Sequence, residues 1–268
     1  MPSHPELLDW LSLDFMDHGW DIKRLVKQIV MSATYRQSAV ITKDAKETDP
    51  ENIFLSHAPR LRLSAEGSRD MVLASSGLLV KEIGGPSVKT YQPKGLWEAS
   101  TSGRGQLAKY VQDHNDDLYR RTMYTFIKRT VPPPTLLIFD ASNRAQCEVK
   151  RLATSTPLQS LVMLNDPQVL EAARVLAERL SKENTGTEEK INKAFQLIVC
   201  RKPADKEKEL FNNYYTSLQK EFAANTKNAA EFIQAGEYKH EDIKDKATLA
   251  ALMQVIHTMY NMEEAIVK

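Results

Sequence analysis

The sequence predicts a mainly α fold: a helical domain with an irregular middle segment that has room for a short β-element. Three observations carry this reading. Apolar residues recur at helical spacing through both ends of the chain, and Ser, Thr or Asp stands at the head of most of those runs. Between Lys89 and Pro134 the period is lost, and glycine, proline and aromatic residues are scattered instead. The expected organisation is one domain over 1–268, or two packed helical lobes, 1–88 and 155–268, joined by an irregular segment, 89–154. A chain of 268 residues is long for one compact core and short for two independent ones.

Taken in order, Ser3 and Glu6 have the spacing of a capping box, and Leu7, Leu8, Leu11 and Phe15 then share a helical face before Gly19. Asp21 can cap a second helix through Ile22, Leu25, Val26, Ile29 and Val30, so the two are expected to form a hairpin. The polar run "TKDAKETDPEN" reads as a loop, and Asp49 with Pro50 as the start of a short helix at "ENIFLSH". Ser64 can cap a helix from Ala65 to about Leu79, ended by "GGPSV".

Within the irregular segment, "RRTMYTFIKRT" is the best strand candidate, because Met123, Thr125 and Ile127 alternate with Tyr124 and Phe126. The triple proline at 132–134 reads as a stiff extended connector. Helices then resume: Ser155 or Thr156 caps one begun by Pro157, Asp166 caps one begun by Pro167, and others start near Thr187 and in "RKPADKEKEL". The last long helix is expected from about Lys246 to Tyr260.

Charge narrows the function classes. With 36 basic and 35 acidic residues the formal net charge is +1, too small a field to steer the chain onto nucleic acid or an anionic membrane. No apolar run approaches the ~20 residues of a membrane span, and no basic segment plus apolar run reads as a signal peptide. Cys147 and Cys200 fit neither C-x-x-C nor C-x-x-C-H and read as two free thiols, with a disulfide left open. The six histidines show no H-E-x-x-H or H-x-H spacing, so no metal site is expected. "GRG" at 103–105 and "IGGPSV" lack the setting of phosphate loops and are given a structural role.

The densest polar stretch is "FDASNRAQCEVKR", residues 139–151. Asp140 suits an N-cap or a tight turn; if a helix follows from about Ser142 to Leu152, then Arg144, Cys147, Glu148 and Arg151 fall along one flank, and Arg69 and Asp70 beside Glu66 could pair along their own helix or reach across to it. Cys147 could be an activated nucleophile there, but no histidine base lies nearby. The favoured reading is a polar junction that locks a helix. A second group, Asp113, His114, Asp116 and Asp117, could bind calcium but lacks the glycine and closing glutamate of an EF-hand loop, so it reads as a solvated acidic turn. With Tyr91, Trp97 and Tyr110 it marks a candidate contact surface or glycan-binding face.

Five ordered blocks together carry a resemblance: "SHPELLDWLSLDFMDHGWDIKRLVKQIVMSATYRQS", "RLSAEGSRDMVLASSGLL", "GGPSV" with "YQPKGLW", "RRTMYTFIKRTVPPPTLLIFDASNRAQCEVKR" and "TSTPLQSLVMLNDP". They resemble the C-terminal domain of unknown function of planctomycete-type cytochrome proteins, large exported chains with a c-type haem domain and an uncharacterised domain upstream. The resemblance implies the terminal module of a longer exported protein, or a gene encoding that module alone. It implies a periplasmic or cell-surface location, a carbohydrate or electron-transfer context, and an upstream domain of the same polypeptide or operon as partner. It supplies no catalytic residues, and any haem would belong to that upstream domain or partner, because C-x-x-C-H is absent here.

The expected function is therefore a non-catalytic helical interaction module. The alternative is a carboxylate-dependent hydrolase or binding domain for a glycan, using carboxylates from Asp113, Asp116, Asp117 and Asp140 with Trp97 as a sugar platform. On the junction reading, Arg144→Ala should clearly lower thermal stability and Cys147→Ser should leave any binding unchanged.

Overall fold

Side chains cap the start of several helices in the computed structural model, which describes residues 2–101, 104, 105, 107–142 and 144–267. Thus Gly103 of "GRG" lies outside the described residues. These divide into two compact units, one ending at Leu61 and one running Arg62–Val267. Segment 89–154 belongs to the second, together with the helix directly before it and those after it. Among the described residues the chain is mainly α, with isolated bridges in place of a sheet, and no helix is long and apolar enough to cross a membrane.

The first unit opens with α1 (Pro5–Asp17) and α2 (Ile22–Met31). The expected Ser3–Glu6 capping box does not form: His4 is the N-cap, and Pro5, with its φ already set, starts the helix. Asp21 caps α2 as expected, accepting from the Arg24 amide at 3.0 Å. The hairpin closes where Arg24 donates to both oxygens of Asp14, at 2.5 and 3.1 Å. The run expected as a loop contains α3 (Lys43–Thr48), because Thr42 accepts from the Ala45 amide. "ENIFLSH" is turns rather than helix. Asp49 accepts from the Ile53 and Phe54 amides, and Asn52 grips the backbone of His57, so side chains claim the groups a helix would need.

The second unit begins with α4 (Ala65–Ser76), capped by Ser64 and ended by Gly77 in the left-handed region, well before "GGPSV". Then come α5 (Leu96–Thr101), two 3₁₀ turns at Asn115–Tyr119 and Thr122–Tyr124, and α6 (Pro134–Ile138). The strand expected at "RRTMYTFIKRT" does not form. Asp70 binds both the amide and the hydroxyl of Thr122, which bends the chain into a 3₁₀ turn and leaves only single bridges, such as Val88 to Thr125. The proline connector is also shorter than expected, since Pro134 opens α6. Among the described residues of 142–152 the expected helix does not form. Arg144 sits at φ +58°, as Asp140 does at +61°, and a non-glycine residue in that region ends a right-handed helix.

The remaining helices are α7 (Pro157–Asn165), α8 (Pro167–Ser181), α9 (Thr187–Val199), α10 (Asp205–Ala224), α11 (Thr226–Phe232), α12 (Lys246–Tyr260) and α13 (Glu263–Ile266). At the start of α7 the Gln159 side chain accepts from the Thr156 amide at 3.1 Å, Asp166 caps α8, and Asp245 caps α12. Helix α12 is apolar nearly all round and packs against α8, α9, α10 and α11, as a central helix must. Leu252, Val255, Ile256 and Met259 are buried there, each contributing about 1.5–3 kcal/mol.

Two contacts tie α4 to this core. The Tyr260 hydroxyl meets Ser75 Oγ at 2.8 Å, and burial pushes that phenol above its usual range. Arg179 on α8 donates to the carbonyls of Ser75 and Ser76, a cation at the negative end of α4. Gly77 makes room for it: a Cβ there would come within 2.5 Å of Arg179 Nη1, and φ is +89°. Gly77→Ala should therefore destabilise the chain by about 1–3 kcal/mol. Thermal unfolding checks this, and an unchanged melting temperature would mean that Arg179 does not close on the α4 terminus.

Candidate functional site

The candidate polar residues separate into three junctions. The first is built on α4, whose cap fixes Arg69 and Asp70 in adjacent positions facing the two 3₁₀ turns. Arg69 donates to Gln168 Oε1 (2.5 Å), the carbonyls of Leu118 (2.7 Å) and Arg120 (2.9 Å), and Thr122 Oγ1 (3.0 Å). Asp70 accepts from the Thr122 amide (2.8 Å) and hydroxyl (2.6 Å), with Arg121 Nε 3.5 Å away. Burial lowers the Arg69 pKa to about 10, against the pull of Asp70 and Asp166, so the guanidinium stays charged at neutral pH. A planar donor fork suits this task, because it satisfies several carbonyls that a loop cannot pair itself.

Next to it, Arg120 reaches back into "GGPS", donating to the carbonyls of Pro86 (2.9 Å) and Gly84 and stacking 4.2 Å from the Tyr124 ring centre. This accounts for the "IGGPSV" loop as a structural element: its carbonyls face an arginine.

The second junction uses only the two ends of "FDASNRAQCEVKR", Asp140 and Arg151, of the residues expected there. Asp140 caps no helix; it accepts from the amide (2.7 Å) and hydroxyl of Thr154, closing a loop. Arg151 donates to both oxygens of Glu66 at 2.8 and 2.9 Å. Arg144, Cys147 and Glu148 are exposed and line up on no helix, and both cysteines are free. The expected effect of Arg144→Ala therefore has no structural basis.

The third junction was not anticipated. Glu171 on α8 is 0 % exposed, yet its Oε1 accepts from the hydroxyls of Tyr119 (2.9 Å) and Tyr91 (3.3 Å) and the amides of Glu237 and Tyr238 (both 2.6 Å). One turn on, buried Arg174 donates to the carbonyls of Ala235 and Tyr238 and to Glu178. Gly236 permits the approach, since a Cβ would lie 2.2 Å from the Glu171 carboxyl carbon. Burial first, then the Glu171 charge, pushes both phenols above their usual range. The available signal was Glu171, Arg174 and Glu178 at i, i+3 and i+7, a polar line down a helix with an apolar stripe.

The candidate contact surface is only partly a surface. Trp97 is 1 % exposed, set edge-on to Tyr110 at 5.0 Å and beneath Lys128 at 4.5 Å, which removes it as a sugar platform. Tyr110 donates to the Thr90 carbonyl, and Tyr91 is engaged at Glu171. Asp113 accepts from the Lys89 amide at 2.7 Å, His114 meets Glu237 at 2.7 Å, and Asp116 and Asp117 are exposed on a 3₁₀ turn. Among the described residues, no three His, Cys, Asp or Glu side chains gather as a metal site would require.

A narrow cleft opens beside the first junction, lined by Ser68, Arg69, Thr90, Thr125, Asp166 and an apolar wall that includes Pro133, Pro134 and Phe139. Its volume is about 50 Å³, enough for a few waters. Pockets that enclose a whole small molecule are ~300 Å³ or more.

Together these features define an all-α domain whose buried ionic groups grip main chain, rather than one in which they converge on an open site. The chain belongs to the PSD1 family, described as a protein of unknown function (DUF1553), whose sequence model matches residues 1–215. No curated protein and no solved structure matches it.

Two substitutions separate the junctions from the exposed residues near them. Arg69→Met leaves the Leu118 and Arg120 carbonyls and Gln168 without their donor and should cost about 3 kcal/mol. Arg144→Ala should cost less than about 0.5 kcal/mol. Chemical denaturation measures both, and equal losses would contradict the assignment.

The Arg151–Glu66 pair is sensitive to pH. Burial raises the Glu66 pKa, but the Arg151 hydrogen bond and backbone donors outweigh it, leaving the group below 4.5 in the fold. Its contribution is therefore present above that value and lost as pH falls through the folded pKa. Arg151→Ala should cost about 0.5–1 kcal/mol at pH 7, and the gap from wild type should close as the pH falls through the lowered Glu66 pKa. A gap that persists in acid would assign the effect to packing.

Proposed function

We propose that this chain is a non-catalytic helical interaction module. Its first unit docks onto an upstream domain, haem-bearing or uncharacterised, of the same polypeptide or operon in an exported bacterial protein. The observation that carries the proposal is the α1–α2 hairpin. Neither helix buries a single residue, and Leu7, Leu8, Trp10, Leu13 and Met16 on α1 stand exposed with Ile22, Val26, Ile29 and Val30 on α2. An apolar face of this extent marks an interaction surface. Aromatic anchors such as Trp10 and Trp20 are typical of such surfaces. The charge pattern favours a protein partner: α1 carries Glu6, Asp9 and Asp17, and α2 carries Lys23 and Lys27, so the hairpin offers both signs around an apolar centre.

The carboxylate-dependent hydrolase loses support. Asp113 and Asp140 are each engaged with a backbone amide, and Trp97 is buried.

Purified chain should form a stoichiometric complex with the separately expressed upstream region, measured by titration calorimetry. Leu13 and Val26 are 57 % and 52 % exposed, so Leu13→Asp and Val26→Asp should leave the fold intact. Each should weaken the complex at least about tenfold. Undiminished affinity in both variants, or no complex with wild-type chain, would refute the proposal.

A further inference from the structure

Two buried hydroxyls of the second unit find no hydrogen-bond partner among the described residues, and both line the same cleft. Ser68, on the inner face of α4, is 4 % exposed, and Thr125, just after the second 3₁₀ turn, is 8 % exposed. Leaving a hydroxyl both dry and unpaired is unfavourable, so such groups in native proteins are normally matched by a ligand or an ordered water. By contrast, the buried hydroxyls of Ser75 and Ser76 on the same helix are paired, with Tyr260 and with the Leu73 carbonyl.

The rest of the wall restricts the occupant by charge, polarity and size. Arg69 and Asp166 both line the cleft, so an anion or a cation would meet one attractive and one repulsive group. Both are also already engaged, Arg69 as described and Asp166 with the Gln168 amide (2.8 Å) and Thr135 hydroxyl (3.0 Å). Thr90, Tyr91, Thr135 and Gln168 add neutral polar groups, and the rest of the wall is apolar, including Pro133, Pro134, Leu136 and Phe139. A volume of about 50 Å³ admits a group of two or three heavy atoms and excludes a whole sugar ring.

We propose that this cleft binds the hydroxymethyl end of a neutral polyol or sugar. The methylene lies against the proline and phenylalanine wall, and the hydroxyl exchanges hydrogen bonds with Ser68 and Thr125, donating to one and accepting from the other. The rest of the molecule stays outside the mouth. This binding is independent of the docking hairpin, which belongs to the other unit, and its test has a separate readout.

The full chain is titrated with glycerol, and with glycolate and ethanolamine as charged probes of similar size, by ligand-observed NMR. Saturable binding of glycerol alone is expected. Ser68→Ala and Thr125→Val should each weaken it by about tenfold, as expected for a lost hydrogen bond to a buried group. Their melting temperatures should be unchanged or higher, because no bond within the protein is removed. The proposal fails if glycerol does not saturate, if the charged probes bind equally, or if both variants bind like wild type. It also fails if a crystal grown in glycerol shows only water in the cleft.

Discussion

The second unit depends on one constraint: long stretches of irregular backbone pass close to its helices, and their carbonyls and amides must be satisfied by side chains because the described residues form only isolated bridges. Arg69 meets this need for the turn at Leu118–Thr122, Arg120 for the Gly84–Pro86 loop, and Glu171 with Arg174 for the loop at Ala235–Tyr238. Each is held on a rigid element or on a segment that such an element fixes. A buried charge kept in this way is costly to form and costlier to orphan, so these groups specify where each loop lies.

The same constraint bears on function. A charged group that grips main chain is poorly placed to attack a substrate, and Cys147, whose alternative reading was an activated nucleophile, stands exposed in a loop. What the molecule offers outward is different in kind: an apolar hairpin in the first unit, and in the second a small cleft with two free hydroxyls.

Helices were legible where a cap and an apolar period coincided. Asp21, Ser64, Thr156, Asp166 and Asp245 each stand at a helix start, and the stripe of α12 reads directly from the sequence. The failures share a cause. The alternation in "RRTMYTFIKRT" and the polar spacing in 142–152 are local patterns, and each lost to a contact from elsewhere or to a left-handed residue: Asp70 on Thr122 in one, Arg144 at φ +58° in the other. Trp97 was misplaced because an aromatic in an irregular segment reads as exposed, whereas Tyr110, Phe126 and Lys128 enclose it. Arg69 and Asp70 were legible as a junction, but their partners, more than 45 residues away in sequence, were not. Glu171 was hidden because a glutamate inside an amphipathic helix normally faces water.

Native-state hydrogen exchange tests the central claim most directly. The amides of Thr122, Thr154, Glu237 and Tyr238 donate to Asp70, Asp140 and Glu171. If ionic side chains fasten the loops, these amides should exchange far more slowly than an unstructured chain, approaching the rates within α8 and α12. Exchange at the rate of free loop amides, with α8 and α12 still protected, would contradict it.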